Sequence, residues 1–198
     1  MRLIVLLLFL LPQTAAAATV LVFGDSLSAG YGLPLDQTWV SLLERKLRDE
    51  KRDYRVVNAS ISGETTAGGR SRIEAALSTH RPAIVVLALG ANDGLRGHDI
   101  GAMRANLEAI IEVCRKFNAK VLLVGMRLPP NYGPAYTEKF SAVFTTLAKE
   151  KNLPLVPFLL EGFADRPDYY FQTDGMHPGQ RAQPLMAETV WRSLRPLL

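Results

Sequence analysis

The sequence predicts an α/β fold, a doubly wound sandwich on a five-stranded parallel sheet. Three observations predict it. Short apolar runs alternate with helix-period segments along the chain. The runs are rich in valine, leucine and isoleucine with little polar alternation, as in strands buried on both faces. Polar, glycine-bearing segments follow the first three runs, at the sheet edge where ligands bind in such folds.

The N-terminus stands apart from this pattern. Arg2 is followed by nine apolar residues, Leu3 to Leu11, then Pro12-Gln13-Thr14 and four alanines, Ala15 to Ala18. That is the layout of a cleavable secretory signal. Nine apolar residues are too few for a bilayer span, which needs about 20. Cleavage is expected after Ala18, with Ala17 as the alternative. Residues 19–198 then form a single periplasmic or secreted domain without a stable membrane anchor. Cys114 is the only cysteine, so an internal disulfide and a lipid-modified N-terminal cysteine are excluded. It shares a helical apolar face with Leu107, Ile110, Ile111 and Phe117, which makes it a core residue. The net charge of +4 comes from interleaved signs, as in Glu44-Arg45-Lys46. This is a solvated mixed surface, with no basic stripe for nucleic acid.

The strand runs are Val20 to Phe23, Arg55 to Ala59, Ile84 to Leu89, Val121 to Met126 and Leu153 to Phe158. Between them lie five helical patterns. Trp39, Val40, Leu43 and Leu47 mark the first, with Asp36 as its expected N-cap. The second runs roughly from Thr65 to Ser78. Met103, Leu107, Ile110 and Phe117 mark the third, and Phe140, Val143, Phe144 and Leu147 the fourth. The last spans about Gly179 to Leu194, with Leu185, Met186 and Val190 facing inward.

The loops carry the chemistry. Gly24-Asp25-Ser26 follows the first strand, Ser60 to Thr65 the second, and Gly90-Ala91-Asn92-Asp93-Gly94 the third. Asp174-Gly175-Met176-His177-Pro178 precedes the last helix. A serine hydroxyl becomes nucleophilic when a base takes its proton, and an imidazole does this near neutral pH. A carboxylate three residues before the imidazole can orient it. Ser26, Asp174 and His177 therefore form a candidate catalytic set. Ser28 and Ser62 are weaker nucleophile candidates because neither directly follows the strand. His80 precedes a strand and lies at the wrong end of the sheet. His98 follows the Asn92 loop and lacks a spaced carboxylate. Acyl transfer also needs fixed donors where negative charge develops. The Ser26 N–H, the Gly63 N–H and the Asn92 amide can supply them, although Gly63 alone reads as a turn glycine and Asn92 as a cap. Three scattered histidines and one cysteine offer no metal-ligand spacing.

Taken together, the four blocks resemble the SGNH-hydrolase superfamily, the GDSL lipases and esterases. GDSLSAGYG (24–32), NASISGET (58–65), NDGLRG (92–97) and RLPPNYG (127–133) are similar to the bacterial periplasmic acyl-CoA thioesterase I, protease I and lysophospholipase L1 group. The resemblance covers the chain after residue 18. It implies a flavodoxin-like three-layer α/β/α sandwich and no cofactor. It implies Ser26 as nucleophile, His177 as general base and acid, Asp174 as orienting carboxylate, and an oxyanion hole of Ser26, Gly63 and Asn92. It further implies a mobile loop from Gly94 to Asp99 and substrate contacts at Gly94, Leu95, Leu128 and Pro129. From the residues themselves, Leu128-Pro129-Pro130-Asn131-Tyr132 is an apolar loop after the fourth strand, or else a rigid turn without substrate contact. The expected protein is a serine hydrolase of acyl esters and thioesters, with a small-molecule acyl ester or thioester as partner, working as a monomer. The alternatives are a carbohydrate O-deacetylase and a noncatalytic acyl-binding protein.

Overall fold

The computed structural model describes residues 17–198, so all but the last two residues of the expected leader lie outside the described residues. Five strands form one parallel sheet: β1 (Ala18–Gly24), β2 (Tyr54–Asn58), β3 (Ile84–Ala88), β4 (Lys120–Val124) and β5 (Leu155–Val156). Their spatial order is β2-β1-β3-β4-β5. The chain moves outward one way from β1 to β2 and the other way from β3 to β5. The topological switch therefore falls between β1 and β3, where Gly24 stands opposite Ala88.

Among the described residues, eight α-helices connect and flank the strands, besides short 3₁₀ turns: α1 (Ser26–Ala29), α2 (Trp39–Asp49), α3 (Thr66–His80), α4 (Ala91–Leu95), α5 (Ile100–Lys116), α6 (Pro134–Glu150), α7 (Pro167–Tyr170) and α8 (Gln183–Leu194). Strand side chains alternate between faces, and that alternation splits the core in two. Val20 and Val22 of β1 join Trp39 and Leu43 of α2 and Met186 and Val190 of α8. Leu21 and Phe23 point the other way, to Ile73 of α3, Leu107 of α5 and Phe140 of α6. This is the three-layer sandwich that the sequence predicts. Each fully buried leucine or phenylalanine contributes about 1.5–3 kcal/mol.

Several local expectations are corrected. Burial on both faces does not extend to β2, an edge strand whose residues are half-buried or exposed. β5 holds two residues, because the chain bends away at Pro157, whose carbonyl lies close against Gly125. The N-cap of α2 is Thr38, whose side chain accepts the Ser41 N–H, while Asp36 sits in the preceding 3₁₀ turn. Phe117 lies just past the end of α5 and is 38% exposed. Leu185, in the first turn of α8, is 37% exposed and does not face inward. Cys114 is fully buried among the α5 core residues, and that burial pushes its thiol pKa up to about 12.

Candidate active site

The nucleophile candidate is placed by a short cap. β1 ends at Gly24, where an added Cβ would stand 2.9 Å from the Ala88 carbonyl oxygen. Asp25 caps α1, its carboxylate accepting the Leu27 N–H at 3.0 Å, and Ser26 is the first helical residue. Gly30 closes α1 in the left-handed conformation, φ +78°.

The histidine comes from a tight loop between α7 and α8. The Gln172 N–H donates to the His177 carbonyl at 2.8 Å, and Phe171 bridges Pro178. Gly175 turns the loop at φ +64°. One oxygen of Asp174 accepts the N–H groups of Met176 and His177, each at 2.9 Å, and the other lies 2.6 Å from His177 Nδ1. The hydrogen bond from the His177 backbone, joined by those from its ring and from Met176, holds the Asp174 pKa down to about 2. His177 Nε2 lies 3.0 Å from Ser26 Oγ. The fold thus closes a 151-residue separation into one hydrogen-bonded relay.

The remaining predicted residues gather around it. Gly63 has φ +78°, and Gly63, Ser26 and Asn92 all line one cavity of about 860 Å³. Neither the Ser26 nor the Gly63 N–H donates to another backbone group among the described residues. Asn92 Nδ2 donates to the Glu64 carbonyl at 3.0 Å and reaches Asp25 Oδ2 at a long 3.4 Å. Asp25 is 2% exposed, and burial raises its pKa to about 6. Asp93 is buried too, and it accepts both the N–H and the hydroxyl of Thr66 at 2.8 and 2.6 Å. This pins the start of α3, and with it the Gly63 turn, to the Asn92 segment.

Leu95, Leu128 and Pro129 line the cavity, so the loop after β4 is a cavity wall. Gly94 does not. It is buried behind the wall, where an added Cβ would meet Phe140 at 2.5 Å and Leu128 at 2.8 Å. The segment expected as a mobile loop begins as the last turn of α4. Tyr132 tethers it at the Leu95 carbonyl, and Tyr136 at the Gly94 and His98 carbonyls. Ser28 is fully buried, and Ser62 lines the cavity without pairing to an imidazole among the described residues.

Two residues at the site escape a reading of spacing alone. Tyr31 packs on the His177 ring, centroids 4.5 Å apart. Gln172 donates through Nε2 to the Tyr31 carbonyl at 2.8 Å and to the Pro178 carbonyl at 3.3 Å, clamping the two loops together. The GDSLSAGYG block contains Tyr31, but nothing in sequence marks its partner 141 residues away.

A parallel α/β sandwich with a serine–imidazole–carboxylate relay at its switch point has the constellation of serine-dependent acyl transfer. The chain is similar to known acyl hydrolases. A profile described as the GDSL-like Lipase/Acylhydrolase family matches residues 22–183. Esterase TesA of Pseudomonas aeruginosa is 52% identical over 193 residues, covering 98% of this chain and 96% of that protein. Thioesterase 1/protease 1/lysophospholipase L1 of Escherichia coli K12 is 43% identical over 186 residues, covering 94% and 88%. A crystal structure of TesA superposes with a TM-score of 0.88 at 51% identity, covering 91% of this chain and 99% of that one. The chain belongs to the GDSL-like lipase/acylhydrolase family.

Proposed function

We propose that the protein hydrolyses acyl esters and thioesters through an acyl-enzyme on Ser26. The observation that carries this reading is the relay itself, Oγ to Nε2 at 3.0 Å and Nδ1 to Asp174 at 2.6 Å. With Nδ1–H donating to Asp174, Nε2 is free to accept the Ser26 proton. Oγ attacks the carbonyl carbon, and the carbonyl oxygen takes the negative charge. The Ser26 and Gly63 N–H groups and Asn92 Nδ2 donate to it, Asn92 exchanging its long bond to Asp25 for the oxyanion. The tetrahedral intermediate collapses and His177 returns the proton to the leaving alcohol or thiol. Water, deprotonated by the same nitrogen, then repeats the attack and releases the carboxylic acid.

Leu95, Leu128 and Pro129 make the cavity wall suitable for an acyl chain. Fatty-acyl esters and lysophospholipids rank above acyl-CoA as natural substrates, because the leader directs the protein to the periplasm or beyond, away from cytoplasmic acyl-CoA. One chain holds both the nucleophile and its base, and a monomer is the proposed working unit. β1 already pairs at Ala18, whose N–H donates to the Asp53 carbonyl at 3.1 Å. Cleavage is proposed after Ala18, with Ala17 as the alternative, and the intact mass of the secreted protein distinguishes the two.

The decisive experiment is hydrolysis of p-nitrophenyl esters from acetyl to palmitoyl, with Ser26→Ala in parallel. Activity that disappears in the variant at unchanged melting temperature supports the mechanism. Full activity of the variant removes Ser26 from it.

A further inference from the structure

We propose that Arg127 forms a phosphate-binding subsite on the cavity wall, so that the enzyme favours acyl esters whose leaving group carries a phosphodiester. This rests on the acyl-ester hydrolysis proposed above and specifies its substrate.

Arg127 is the one lysine or arginine among the described residues that line the cavity. It is exposed, and among the described residues it has no ion-pair partner. Its guanidinium lies over the Phe158 ring, 4.9 Å from the centroid. That packing covers one face of the planar group and leaves its N–H edge for a forked bond to two anionic oxygens. The backbone beneath is constrained by Pro129 and Pro130, and by Leu128, only 9% exposed. Arg127 thus shares the cavity wall with Met126, Leu128 and Phe158.

The carboxylates of the same cavity fix the sign and size of the ligand charge. Asp174 is engaged by His177, and Asp25 is buried beneath the site. Asp165 remains, exposed and also on the wall. It repels a doubly charged phosphomonoester more than a singly charged phosphodiester. An acyl chain against the apolar wall with a phosphodiester at Arg127 describes a lysophospholipid. A CoA thioester offers the same phosphate chemistry with more negative charge.

The test compares kcat/KM on three substrates with one acyl chain: a lysophosphatidylcholine, a monoacylglycerol and the acyl-CoA. Each is run with the wild type, Arg127→Gln and Arg127→Lys. The expected result in Arg127→Gln is a fall of about tenfold in the lysophospholipid-to-monoacylglycerol ratio, as for one charge-assisted contact in a partly wet site. Arg127→Lys, which keeps the charge and loses the fork, recovers part of it. A fall in the acyl-CoA ratio instead assigns the subsite to the thioester. Falls in both assign it to phosphate in general. Unchanged ratios, including the case where all three rates fall together, overturn the proposal. Binding to the Ser26→Ala protein reads the same preference without turnover. There, a phosphate preference abolished by Arg127→Gln keeps the subsite even if hydrolysis fails, and its absence removes the subsite.

Discussion

Asp25 caps the turn that presents Ser26, and it does so from inside the protein. Burial lifts its pKa from 3.8 to about 6, so holding it ionised costs on the order of 3 kcal/mol. The sign follows from the raised value. Below about pH 4 the group is protonated in both folded and unfolded states and costs nothing; above about pH 6 the full cost is present. Asp25→Asn is therefore expected to raise the melting temperature at pH 8, with the gain fading towards pH 4. It is also expected to lower kcat, because the carboxylate that faces Asn92 Nδ2 is gone. A melting-temperature difference that stays constant with pH would show that burial of the charge is not the cause. For Asn92 itself, replacement by alanine should lower kcat by about 10²–10³, the cost of one oxyanion donor. A rate within twofold of the parent would remove it from that role. Tyr31 acts through another residue, so its test is different. Tyr31→Ala should cost up to about tenfold in kcat with little change in KM, and Tyr31→Phe should restore the rate, because the packed ring and not the hydroxyl positions the imidazole.

At the scale of elements, the two halves of the relay are held together by a buried hinge between α2 and α8. The Trp39 N–H donates to Gln183 Oε1 at 2.9 Å, and Trp39 Nε1 donates to the Leu27 carbonyl at 3.0 Å. Gln183 Nε2 donates in turn to the carbonyls of Pro178 and Gly179. One buried amide thus links the segment after Ser26 to the segment after His177. Gln183→Leu should cost about 1–3 kcal/mol, since it leaves buried polar groups unpaired, and should lower the melting temperature by roughly 2–10 °C. Calorimetry alongside kcat separates this from a purely local effect: both should fall together. None of this was legible in the sequence, because Gln183 reads as an ordinary polar residue near the start of a helix and its partner lies 144 residues away. The same blindness produced the local errors. Asp is the stronger cap than Thr by residue type, but the 3₁₀ turn at Leu35–Gln37 takes up Asp36 and leaves the cap to Thr38. Leu185 fits the helical period but falls where no layer covers it. By contrast, the relay was legible, because Ser26 and His177 each sit in a short block with its own chemical signature.

Across the whole molecule, the unmixed apolar runs were enough to predict a parallel sheet. Period alone could not say that β2 would end at an edge, or that β1 and β3 would flank the switch. That switch brings the loops after β1, β2 and β3 to one cavity, and the polypeptide after β4 and β5 closes it with an apolar wall of Leu128, Phe158 and Leu160. The cavity is thus shaped by the first and second halves of the sheet together. A cavity of about 860 Å³ is far larger than an acetyl group needs. Each methylene moved from water onto such a wall contributes up to about 0.8 kcal/mol, which is up to fourfold in kcat/KM. Along the p-nitrophenyl series, kcat/KM should rise from acetyl through the medium chains and level off once the wall is covered. Leu128→Ala should flatten the rise while leaving the acetyl rate close to wild type, because the change removes chain contact and not chemistry. A series that peaks at acetyl would instead mean that the wall serves another part of the substrate, and would favour removal of acetyl groups from a larger polar molecule.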